Sequence, residues 1–140
     1  MTTKREQILA RIVTNLSNTV GVGNRIYRSR IEPLARSETP AIVVEFVDDT
    51  AEIEGALPYQ NWRLTVQIMV VARGSIPDQI ADPTVKSLHA KLMADITLNN
   101  LAFDILPVSH SFQLVESDQP TGIVSCLYAI RYRTSLTTME

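Results

Sequence analysis

Apolar and polar positions alternate most strictly from Asn61 to Arg73. Trp62, Leu64, Val66, Ile68 and Val70 share one parity, and Arg63, Thr65 and Gln67 share the other. Period two with β-branched and aromatic enrichment predicts a half-buried strand. At about 3.3 Å per residue this strand spans roughly 40 Å, which predicts a central position in a sheet. From Met69 to Ala72 both parities turn apolar, so that end is expected to be covered on both faces.

Three more segments carry strand patterns. Ala41–Val47 is a run of β-formers. Ser109–Glu116 is a further candidate, with a short extended piece expected over Leu101–Pro107. Ile123–Ser135 sets Val124, Cys126, Tyr128, Ile130 and Tyr132 against Arg131 and Arg133. Two segments carry the helical period instead. Thr3-x-x-Glu6 reads as a capping box, and Ile8, Leu9, Ile12, Val13 and Leu16 follow as one stripe that runs to about Thr19 before Gly21 and Gly23. Asp82-Pro83 reads as an N-cap followed by a first-turn proline. Val85, Leu88, Leu92 and Ile96 form the second stripe, with Met93 beside it, and Asn99-Asn100 closes it. Lys91 and Asp95 are spaced to pair on its outer face. The order is helix, two strands, helix, two strands. It predicts an α+β fold over residues 1–140 as one domain: a mainly antiparallel four-stranded sheet with two helices packed on one face.

The connections are uneven. Ile31–Thr39 looks irregular, with Pro33 and Pro40 removing amide donors. Asp48–Gln60 is long and acidic, and reads as a hairpin whose arms extend beyond the sheet. Loops of that length inside a small domain are usually functional or mobile. Gly74–Ala81 is a second connection, and Asp118–Gly122 a turn.

Charge sharpens this layout. The net charge is −2, which argues for neither nucleic acid nor an anionic membrane as a bulk partner. Yet residues 1–36 hold seven basic residues against Glu6 and Glu32, a balance of +5. Residues 37–60 hold six acidic residues and no basic one, a balance of −6. Such segments can pair within the fold or between subunits. One cysteine, Cys126, excludes an intrachain disulfide. The N-terminus lacks the apolar run of a signal peptide, and no apolar run is long enough to span a bilayer, so no membrane partner is expected.

Candidate chemistry is sparse. His89 lies beside the second stripe and His110 opens a strand, without carboxylates or cysteine at ligand spacing, so no metal is expected. Cys126 sits among apolar neighbours and reads as an inert buried thiol. Asp48-Asp49 suggests paired carboxylates for acid–base work, but its place before an acidic loop favours a solvated charge run. Gly21-Val-Gly23 lacks the third glycine of a dinucleotide site. No catalytic residue and no cofactor follow from this inventory, and the chain is expected not to be an enzyme. Two clusters remain. Arg25, Arg28 and Arg30 lie on an extended segment that suits phosphate contact without sequence readout, against the alternative of a solvated arginine loop. Asp48, Asp49, Glu52, Ile53, Glu54, Leu57 and Tyr59 place apolar groups on an acidic projecting loop, which suits a subunit interface.

Arg25-Ile-Tyr-Arg-Ser-Arg, Ser-Glu-Thr-Pro-Ala-Ile-Val-Val-Glu, the long strand, the second helix and the closing Tyr-Ala-Ile-Arg-Tyr-Arg-Thr follow one another in order. Together they resemble the tail terminator (tail completion) proteins of long-tailed bacteriophages, the family of minor tail protein U. The resemblance implies a virion protein, assembled in the host cytoplasm, that forms a hexameric ring. Such a ring ends tail tube polymerisation and joins the tail to the head–neck complex. It implies a tail tube protein and a neck or head-completion protein as partners, and genomic DNA passing through the ring without sequence-specific binding. Three alternatives stay open: another head–tail connector, a small nucleic-acid-binding module using the Arg25–Arg36 segment, or a small hydrolase or transferase with a deep polar pocket.

Overall fold

A computed structural model describes residues 2–29, 38–53, 57–116 and 120–140. The elements run α1 (Lys4–Asn15), β1 (Ile26–Arg28), β2 (Ala41–Ala51), β3 (Tyr59–Arg73), α2 (Pro77–Met93), β4 (Asp104–Val115) and β5 (Thr121–Ser135). Among the described residues the strands form one sheet in the order β1-β2-β3-β5-β4. All pairings are antiparallel except β1 with β2. Both helices pack on one face, so the α+β class and the layering are as expected. The sheet has five strands rather than four. The extra one is the three-residue β1, too short for its alternation to register as a strand.

The long strand is central, flanked by β2 and β5. Its helix-facing parity (Leu64, Val66, Ile68, Val70) is fully buried with Ile8, Ile12 and Leu16 of the first helical stripe and Leu88 and Leu92 of the second. Trp62 lies at the rim of that core and donates its Nε1–H to Thr134 Oγ1 at 2.9 Å. On β5, Cys126, Tyr128, Ile130 and Tyr132 face the same core.

The first helix starts at the expected N-cap, where Thr3 Oγ1 accepts the Glu6 amide at 3.1 Å, but the Glu6 carboxylate binds Arg28 instead of closing the capping box. It ends at Asn15 rather than near Thr19. The chain then turns through Gly21, whose φ of +81° and closeness to Thr84 Oγ1 favour glycine. The second helix begins at Pro77, not at Asp82-Pro83. Pro77 occupies the first turn, where its missing N–H costs nothing, and Pro83 is carried inside the helix. The buried stripe is Pro77, Ala81, Thr84, Leu88 and Leu92. Its first three members are too small or too polar to stand out as a hydrophobic period. The helix also stops at Met93, so Ile96 falls in the following turn and is 46% exposed. Leu98 fills the core there, with Leu98, Asn99 and Asn100 all at positive φ. Asp95 does not serve Lys91. Its Oδ2 accepts from Arg11 Nε and Asn15 Nδ2, both at 2.9 Å, and its Oδ1 accepts the Asn99 amide. That cluster ties α1 to the turn after α2.

Candidate assembly surfaces

The first candidate cluster was the arginine segment. Arg25 precedes β1. Its Nε donates to the Pro40 carbonyl at 2.9 Å and its Nη2 to the Gly21 carbonyl at 2.8 Å, so it braces two chain segments. Arg28 lies on β1 opposite Val44, which puts it on the helix side of the sheet. There it grips the Glu6 carboxylate with both terminal nitrogens, at 2.7 and 3.0 Å. This bidentate bond holds Glu6 below its usual carboxylate range and raises Arg28 further. Arg30 lies outside the described residues, as does Arg36. Of the other basic residues in this third of the chain, Lys4 donates to the Arg133 carbonyl, Arg5 meets Asp49 and Arg11 meets Asp95. Every described basic residue before Glu38 therefore has a partner inside its own chain.

The second cluster was the acidic connection. The hairpin arms extend the sheet: β2 continues to Ala51 and pairs with β3 up to Ala51–Trp62. A bulge between Phe46 and Asp48 inserts one residue and reverses the parity that follows. Asp48 therefore points to the open face, and Asp49 points inward. Its side chain is only 3% exposed, and its Oδ2 accepts from the Tyr132 hydroxyl and from Arg5 Nη1. Burial, and then the Asp49 bond and charge, raise the Tyr132 phenol. Asp49 Oδ1 is buried with no hydrogen-bond partner among the described residues. Asp49 is thus a buried anchor rather than part of a solvated charge run, for which the bulge is the physical reason. A bulge leaves no signature in apolar period.

Beyond the anchor, the hairpin base is firmly held. The Glu52 amide donates to Asn61 O at 2.9 Å, Gln60 Nε2 donates to Glu52 O at 2.7 Å, and the Leu136 amide donates to Pro58 O at 2.9 Å. At the tip Ile53 is fully exposed and Leu57 is 79% exposed. Tyr59 is half exposed, with the Arg133 guanidinium 5.2 Å from its ring centre. Glu54 lies outside the described residues.

A third surface was not singled out from the sequence. β4 is an edge strand, and after Ile105 every residue is exposed, including Leu106, Val108, Phe112, Leu114 and Val115. Its start borders a trough of about 460 Å³ on the open sheet face, lined by Arg63, Leu106, Pro107, Val108, Ala129 and Arg131. Arg63 and Arg131 stand directly opposite one another on β3 and β5. Asp104 holds Arg131 in a bidentate pair at 3.1 and 2.5 Å, while Arg63 has no ion pair among the described residues. The alternation of Leu106 and Val108 beyond a fold-filling Ile105 was the available signal. It was obscured by Pro107 and by a second bulge between Pro107 and Ser109.

The remaining chemistry is muted. His89 Nδ1 lies 2.9 Å from the Tyr128 hydroxyl, its ring stacked on the tyrosine. Burial pushes the Cys126 thiol up to about 11, away from thiolate reactivity. Among the described residues no three His, Cys, Asp or Glu side chains gather as a metal site, and no helix is long and apolar enough to cross a membrane.

With the main core between the sheet and its helices, Ile53 and Leu57 on the hairpin and the apolar residues of the β4 edge strand are left exposed, a distribution that suits a structural building block. A family model described as phage minor tail protein U matches residues 3–132, and the chain belongs to that family: it is a structural protein of the phage tail, located in the virion. Among solved structures, a chain of the virion of a native gene transfer agent (GTA) particle aligns at 12% identity with a TM-score of 0.48, over 94% of this chain and 92% of that one. No curated protein matches in sequence at comparable significance.

Proposed function

We propose that this protein is the tail terminator. Six copies close into a ring on the head-proximal end of the tail, stop further tube polymerisation, and present the finished tail to the head–neck complex. The observation that carries the reading is membership of the minor tail protein U family over nearly the whole chain. The geometry supports it. One ring surface must meet copies of itself, another the tube and a third the neck, and the chain offers distinct exposed apolar sets at the hairpin tip and along β4. A head-to-tail contact between copies is heterologous and must close to avoid a filament. The role needs no cofactor and no catalytic group. Assembly takes place in the host cytoplasm, with a tail tube protein and a neck protein as partners.

Genomic DNA passes through such a ring without sequence-specific binding. Arg25 and Arg28 are engaged within the chain, so these two lend little to a phosphate-gripping wall. Weak binding to free duplex is the expected result.

The test is tube growth. Purified protein added to polymerising tail tube protein arrests growth at a fixed length and leaves a ring at one end in electron micrographs. Tubes that grow on unchanged, with no ring at either end, would overturn the reading.

A further inference from the structure

We propose that the Arg63–Arg131 trough on the open sheet face receives the β2–β3 hairpin tip of a second copy of this chain. The inference rests on the ring reading and supplies its subunit contact. The basic N-terminal third is the receptor that charge balance alone would suggest, but its described cations are already bound within their own chain: Arg5 to Asp49, Arg11 to Asp95, Arg28 to Glu6 and Arg25 to two carbonyls. Arg63 is different. It is exposed, it has no ion pair among the described residues, and it faces Arg131 across the β3–β5 register. Like charges directly opposite in a sheet are unfavourable, and only one of the two has Asp104 beside it. An incoming carboxylate relieves that repulsion.

The trough floor and wall are apolar, made by Ala129, Leu106, Pro107 and Val108. The occupant must therefore carry apolar side chains with an acidic residue next to them. The hairpin has that chemistry: Ile53 and Leu57 exposed at the tip, with Glu52 and Glu54 flanking Ile53 in the sequence. Glu52 lies close enough to add its charge to Arg131 of its own chain, but the apolar pair Ile53 and Leu57 lies beyond its own trough. Strand pairing is fixed through Ala51–Trp62 and Tyr59–Ser135, which carries Ile53 roughly 10 Å and Leu57 roughly 20 Å past Arg63 at the usual strand rise. Pro107 and the adjacent bulge also discourage strand addition along this part of the β4 edge, which favours side chains entering the trough over a new strand pairing. Tip of one copy into trough of the next is a heterologous contact, the kind that closes into a ring.

Two measurements test this. Ile53→Cys protein mixed with Val108→Cys protein should form a disulfide-linked dimer under mild oxidation, whereas neither alone should form it efficiently. The wild-type Cys126 is buried and does not compete. Arg63→Glu should keep its thermal melt and raise the concentration for half-association in sedimentation velocity at least tenfold. If wild type associates but the cross-link fails and Arg63→Glu changes association less than twofold, the trough is not the receptor and the ring reading stands. If the cross-link fails while Arg63→Glu still blocks joining to tails, the occupant is another tail protein and the proposal is overturned. If wild type never associates at any concentration, the ring reading falls and this contact with it.

Discussion

Replacing Tyr132 by phenylalanine removes one oxygen from the anchor under the hairpin. The phenol donates to Asp49 Oδ2, and among the described residues the only other donor on that oxygen is Arg5 Nη1 at the long distance of 3.5 Å. The partner oxygen, Oδ1, already lacks a hydrogen bond among the described residues. A hydrogen bond to a charged acceptor contributes about 1.5–3 kcal/mol net, and here the acceptor stays buried when the donor leaves. The ring of Tyr132 is fully buried and keeps its packing as phenylalanine, so the loss is polar. For a chain near this size, each kcal/mol lowers Tm by about 3 °C, so Tyr132→Phe should melt roughly 4–10 °C below wild type. Urea titrations of Tyr132→Phe, Asp49→Ala and the double variant should give a coupling energy of at least about 1 kcal/mol. A single-variant loss under about 0.5 kcal/mol, or a coupling near zero, would refute the claim that this bond holds the hairpin base. Arg5, which also lies 4.8 Å over the Phe46 ring, should show a smaller effect on truncation because it is one-third exposed.

Leu92→Ala should destabilise by about 2–5 kcal/mol in denaturant titration, since Leu92 is fully buried in the shared core of both helices and the sheet. Asp95 carries a lowered pKa, chiefly through Asn15 and then Asn99 and Arg11, so its stabilisation is complete above the ordinary value of 3.8 and disappears as pH falls through the folded-state value. Asp95→Asn should accordingly cost about 1 kcal/mol at neutral pH, and the gap to wild type should close in acid melts. Replacing Leu57 and Tyr59 by serine should leave the melt nearly unchanged, apart from the Arg133–Tyr59 contact, and weaken association in sedimentation and joining in a tail-assembly assay.

The elements whose period is long and apolar were legible in the sequence. β3, β5 and the stripe of α1 fall where alternation and capping put them, because burial on one face leaves a clear signature in residue type. The start of α2 was not legible. Its first turns pack Pro77, Ala81 and Thr84, which carry little hydrophobic signal, and Asp82-Pro83 imitates a start five residues into an existing helix. Bulges hid the rest. One sends Asp49 inward instead of into solvent, and the other breaks the alternation of β4 just where the trough is lined. The arginine segment misled for a different reason: composition reports the charge of Arg25 and Arg28 but not the carbonyls and the Glu6 carboxylate that three-dimensional closure brings to them. The exposure of Ile53 and Leu57 was legible because neither had a place in either stripe.

A tail-terminator role requires copies of this chain to close into a ring that ends a tail. The most direct measurement is mass photometry of the purified protein alongside electron microscopy of the same sample. A terminator should give a discrete species of six times the monomer mass that appears as a closed ring and binds one end of polymerised tail tubes. A species that remains monomeric at every concentration tested, or open filaments with no closed form, would contradict that role.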